Sequence, residues 1–137
     1  MRIAALLGEL RGLEERLATA YSEAADRHAA EHDVQHQARA FAKQCAAHAE
    51  LLGDHESNAA NATEQLSGDL LQDLRALLLS AERVSITWVM AGQAAQALRD
   101  EHLLSTVRAC HLETELQVKW LTTRIKAAAP QALVVGG

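Results

Sequence analysis

Apolar residues recur at steps of three and four along most of this chain, and that spacing predicts helices. Leu6, Leu10, Leu13, Leu17, Tyr21, Ala24 and His28 form one stripe, so a first helix is expected to end near Glu31. A second stripe follows in Val34, Ala38, Phe41, Cys45, Ala49 and Leu52, with Asp33 placed to cap its start. A turn of two or three residues makes these two helices antiparallel neighbours. After Leu52 the period stops. Gly53 to Thr63 is rich in turn formers, lacks large apolar residues and reads as a crossover. A third helix is expected from about Ser67 or Asp69 to Arg99. Asp100 then caps a fourth that runs to Ala129 and stops before Pro130. The tail, Ala132 to Gly137, carries Leu133, Val134 and Val135, enough to dock on a bundle but not to form an element.

The third and fourth helices differ from the first two in being apolar on two faces. Leu70, Leu74, Leu77, Ala81, Val84, Trp88 and Ala95 form one stripe of the third helix, and Leu79, Ile86 and Met90 form another on the opposite side. The fourth repeats the arrangement, with Leu103, Val107, Cys110, Val118, Leu121 and Ile125 on one face and Leu112, Leu116 and Trp120 on another. A second apolar face on a short chain is most simply buried against another subunit. Leu79, Ile86, Met90, Leu112, Leu116 and Trp120 are therefore the expected interface of a homodimer.

Composition agrees with the pattern and narrows the function. At 137 residues and 49% hydrophobic, with one Pro and seven Gly, the chain reads as one all-α domain, 1–137, with a core that needs no disulfide or metal. The formal charge of −5 opposes phosphate binding, and Trp88, Trp120, Tyr21 and Phe41 are too few rings for a nucleic-acid stacking platform. Residues 1–64 carry six Lys/Arg against eleven Asp/Glu, and residues 65–137 carry seven against seven, so the acidity belongs to a solvated first half. The uncharged run from Val84 to Leu98 is too short and too polar to span a membrane, and the N-terminal apolar run is too short for a signal peptide. A soluble cytoplasmic protein without membrane or nucleic-acid partners is expected. Cys45 and Cys110 sit on apolar stripes, where a free thiol behaves as a small hydrophobe.

Leu17-Ala18-Thr19-Ala20-Tyr21 followed by Glu23 and His28, then Cys45-Ala46-Ala47-His48, Glu82 and Arg108-Ala109-Cys110-His111, together with the two-hairpin layout, resemble the ferritin-like superfamily of four-helix bundles. The resemblance implies an antiparallel bundle of two helical hairpins joined by a crossover. It also implies a metal site, iron or zinc, for which Glu23, His28, Cys45, His48 and His111 are the candidate ligands. The di-iron pattern is not intact, because Cys45 and Arg108 stand where bridging Glu residues belong and an Arg repels a cation.

Axial level argues the same way. With the first turn near residue 32, His48 is level with Arg16, whereas Glu23 is level with Phe41. Seven residues at ~1.5 Å each put His48 and Glu23 roughly 10 Å apart along the axis. With a turn at Asp100, His111 is level with Val89 rather than Glu82. His28, His32 and His36 fall at steps of four, but Asp33 breaks the helix between them, and they read as turn histidines with His28 at the core edge. No Gly-rich phosphate loop, paired-carboxylate motif or Cys-x-x-Cys is present. The expected protein is a non-catalytic, homo-oligomeric helical bundle without a cofactor, with a metal-binding or oxidoreductive ferritin-like protein as the alternative.

Overall fold

The computed structural model describes residues 2–58 and 65–135. Within them lie four helices and no strand: α1 (Ile3–Arg27), α2 (His32–Leu51), α3 (Leu70–Leu98) and α4 (Glu101–Pro130). They pack as an all-helical bundle, and the expected stripes are what they bury. Leu10, Leu17, Tyr21, Cys45, Ala81 and Trp88 are wholly enclosed. Among the described residues no helix is long and apolar enough to cross a membrane. Of the expected crossover, Ala59 to Thr63 lies outside the described residues.

Side-chain chemistry sets the helix ends. Asp69 and Asp100 cap α3 and α4, accepting from the Gln72 amide at 2.9 Å and the Leu103 amide at 3.0 Å. Between these helices Arg99 takes the left-handed conformation, φ 55°, that closes α3 within two residues of the start of α4. Asp33 does not cap α2. Glu31 holds the cap position without a side-chain bond, and Asp33, in the first turn, receives Arg124 Nε at 2.7 Å from α4. The first helix also stops earlier than its stripe implies, at Arg27, because the His28 ring is drawn sideways onto Asp73 of α3, Nε2 donating to Oδ2 at 2.7 Å.

The far end of α4 departs further from expectation. The helix continues through Pro130 into a π-helical turn, Gln131–Val135. Proline lacks an amide donor and crowds the carbonyl four residues back, and here the chain widens its turn rather than ending the helix. The apolar residues of the tail do not dock: Leu133, Val134 and Val135 are 70%, 80% and 73% exposed.

The described part of the crossover and the segment after it are tied to the helices. The Asn58 amide donates to the Gly8 carbonyl at 2.9 Å, and the Arg11 guanidinium donates to the His55 carbonyl at 2.7 Å. Gly8 permits this approach, since a Cβ there would collide with the Glu56 carbonyl oxygen. On the other side, Asp73 accepts from the backbone of Ser67 at 2.6 Å and Gly68 at 3.0 Å as well as from His28.

Candidate functional site

The stripe of α1 is interrupted by one charged residue. Glu14 lies four residues after Leu10 and three before Leu17, so helical geometry carries its carboxylate into the interior, where it is wholly buried. It meets a residue from each of two other helices. His48 Nδ1 of α2 is 2.8 Å from Glu14 Oε2, and Trp88 Nε1 of α3 donates to the same oxygen at 3.0 Å. The other ring nitrogen of His48, Nε2, is 2.7 Å from Glu113 Oε1 of α4. All four helices thus send a side chain to one point. His48 also packs edge-on against Trp88, ring centroids 6.3 Å apart.

A neutral polar layer adjoins this centre. Tyr21 Oη donates to Gln117 Oε1 at 3.0 Å, and Gln117 Nε2 donates to Gln44 Oε1 at 3.0 Å. Gln117 is wholly buried and also lies within 3.8 Å of Cys45 Sγ. Phe41 packs against Tyr21 on one side and Trp120 on the other. Among the described residues, Glu14 Oε1 of the charged centre has no hydrogen-bond partner.

The centre shifts the titration of its members. Burial opposes a charge on His48, but the bonds to Glu14 and then Glu113 outweigh it and hold the imidazole above its usual value. Burial, and after it the nearby Glu14 carboxylate, pushes the Cys45 thiol well up and the Cys110 thiol up to about 12. Tyr21 is raised well above the usual phenol by burial, then by Cys45 and Glu14. Both cysteines are free and buried, and in their thiol form they are poor nucleophiles.

The structure does not assemble the five candidate ligands drawn from the sequence. Glu23 pairs with Arg27 at 2.8 Å, and His28 is committed to Asp73. His111 sits apart with Glu115 Oε1 at 2.9 Å and Ser85 Oγ at 3.2 Å. Only Cys45 and His48 belong to the central cluster. His48, one of the candidate ligands, lies inside the bundle at 2% exposure. His32 and His36 are exposed, as expected, and His28 is buried. Among the described residues no group of three or more His, Cys, Asp or Glu is arranged to hold a metal ion.

Trp88 is expected only as a core ring, and Glu14 and Glu113 are not among the expected site residues, although signals for both exist. Glu14 is the charged member of an otherwise apolar stripe, and it stands two residues from the level assigned to His48. Glu113 follows Cys110 by three, the same spacing that separates Cys45 from His48.

On the outer surface, Leu79 (52%), Ile86 (59%) and Met90 (48%) of α3 and Leu112 (63%) and Leu116 (55%) of α4 are exposed. Trp120 is not among them: it is half-buried, with its ring edge-on to Phe41 at 5.9 Å between centroids. Neither a protein-family model nor a curated protein matches the chain.

Proposed function

We propose that this protein is a non-catalytic, self-associating helical bundle whose third and fourth helices form a homodimer interface. The observation that carries the proposal is the exposed apolar face of Leu79, Ile86, Met90, Leu112 and Leu116. Five such side chains expose on the order of several hundred Å², at the upper end for a monomer. At ~25 cal/mol per Å² their burial contributes several kcal/mol per subunit before the entropy of association. The C-terminal apolar residues leave this face uncovered, and the exposed Glu82, Arg83, Glu115 and Lys119 on the same two helices mix both signs. A rim of both signs carries no net like-charge repulsion against a second copy. Sedimentation equilibrium of the native chain and of an Ile86→Glu, Leu116→Glu double variant tests this. A dimer at micromolar concentration and a monomeric variant are expected; a monomeric native protein refutes the proposal.

The bundle is further inferred to be ferritin-like, with antiparallel hairpins. Support comes from Arg11, early in α1, meeting His55 just past α2, and from Ser85 of α3 bonding Glu115 of α4 across the Arg99–Asp100 turn. The central residues also keep the outline of a bundle metal centre: Glu14, Cys45-x-x-His48, Trp88 and Cys110-x-x-Glu113, one set per helix. Their chemistry does not fit a di-iron group. Thiols replace the bridging carboxylates, an indole that donates to Glu14 replaces a ligand, and both His48 nitrogens are engaged. Elemental analysis after incubation with iron or zinc is expected to find no stoichiometric metal. Tight binding abolished by His48→Ala would reverse this part of the assignment.

A further inference from the structure

His48 makes more hydrogen bonds than a neutral imidazole has protons for. An ionised carboxylate only accepts hydrogen bonds, and a neutral imidazole has a single N–H. His48 nevertheless faces Glu14 through Nδ1 at 2.8 Å and Glu113 through Nε2 at 2.7 Å. Both bonds form together only while the cluster holds one extra proton. Glu14 Oε2 already accepts from Trp88.

The two carboxylates differ in freedom. Glu14 is wholly enclosed, whereas the Glu113 side chain is 46% exposed. Once the extra proton leaves, an imidazole lone pair points at a carboxylate across less than 3 Å. Glu113 relieves that repulsion by rotating into water, and Glu14 has no such route.

We propose that His48 is a proton-operated latch between α2 and α4, closed while the imidazolium bridges Glu14 and Glu113 and opened, with Glu113 in solvent, when that proton is lost. The other titratable groups facing it are Tyr21 from α1, Cys45 from its own helix and Cys110 from α4. Burial raises all three, so they stay neutral while the latch works. Trp88 faces it from α3 and does not titrate. Because Glu14 and Glu113 hold the imidazole above its usual value, the latch stays closed at pH values where an ordinary imidazole has lost its proton, and it opens as pH rises further. The stability it lends is complete below the ordinary imidazole pKa and is lost as pH rises through the raised one.

Trp88 reports the state of the latch. With Trp120→Phe it is the sole indole, and its emission is followed from pH 6 to pH 10 beside the imidazole 15N resonances of the unaltered chain. A single transition is expected in both, with its midpoint above the ordinary imidazole value. Adding Glu113→Gln removes one carboxylate and supplies an amide donor, so the midpoint falls by about one pH unit with helical circular dichroism unchanged. Absence of a raised His48 titration, or a midpoint that Glu113→Gln does not move, overturns the latch. So does loss of helix in Glu113→Gln, since Glu113 is held to leave without unfolding the bundle.

Discussion

A thiol reacts as its thiolate, so the protonation of Cys45 and Cys110 decides their chemistry. Cys110, moved from 9.0 to about 12, carries roughly a thousandfold less thiolate at neutral pH than an ordinary cysteine. Cys45 is wholly buried and shifted in the same direction by burial and Glu14. Both thiols are therefore expected to resist an aromatic disulfide reagent for hours in the native protein and to react within minutes in denaturant. Rapid native modification of either one would contradict the burial described above. The sequence anticipated this placement, because each cysteine lies on a stripe of apolar neighbours. It did not anticipate Glu14, whose charge argues for solvent until its phase against Leu10 and Leu17 is considered. A rule that admits only apolar residues to the core misses a carboxylate held there by an imidazole and an indole.

At the level of the elements, the periodicity located all four helices, and Asp69 and Asp100 marked two starts. The errors fall where a distant partner decides the end or where the turn itself widens. His28 leaves its helix for Asp73, Asp33 gives up the cap for Arg124, and Pro130 is absorbed by a wider turn. None of these partners is visible to a local pattern. The partners of His48 are hidden from a local pattern in the same way. Axial level separated His48 from Glu23 and His111 from Glu82, but it did not supply the partners that three-dimensional phase selects, Glu14 and Glu113 for His48 and Glu115 for His111. One element also depends on the absence of a side chain. Gly8, inside α1, lies under the chain leaving α2, and a Cβ there meets the Glu56 carbonyl. Gly8→Ala gains about 1 kcal/mol in helix propensity but loses about 1–3 kcal/mol to overpacking and to a weakened Asn58 bond. A net fall in the urea midpoint is expected. A rise would show that the segment moves aside at no cost.

Across the whole molecule, Asp73 ties the end of α1, the start of α3 and the segment before it into one knot. Burial works against its charge, but the bonds from Ser67, His28 and Gly68 hold its carboxyl below the ordinary aspartate value. The contribution is present above that ordinary value, near pH 4, and is lost as pH falls through the lower folded one. Asp33 is depressed too, by Arg124, but its side chain is 55% exposed and solvent screens most of the effect. Asp73→Asn is thus expected to cost about 1–3 kcal/mol at neutral pH and to flatten the acid limb of a stability profile taken from pH 6 to pH 2 by urea titration. An acid limb as steep as in the native protein would place the responsible carboxylate elsewhere.

The centre built from Glu14, His48, Trp88 and Glu113 has a bearing on which parts of this chain are open to remodelling. A bundle cemented by leucine alone lets its rods slip or rotate by a residue and relies on its connectors to keep count. Here one polar group on every rod is committed to another, so the count is kept in the interior. The connectors are then released from that duty. Doubling the length of a flexible one costs only about 0.6 kcal/mol in closure entropy. Inserted sequence, tags or whole modules belong at the ends of this molecule, where they leave its internal gearing in mesh.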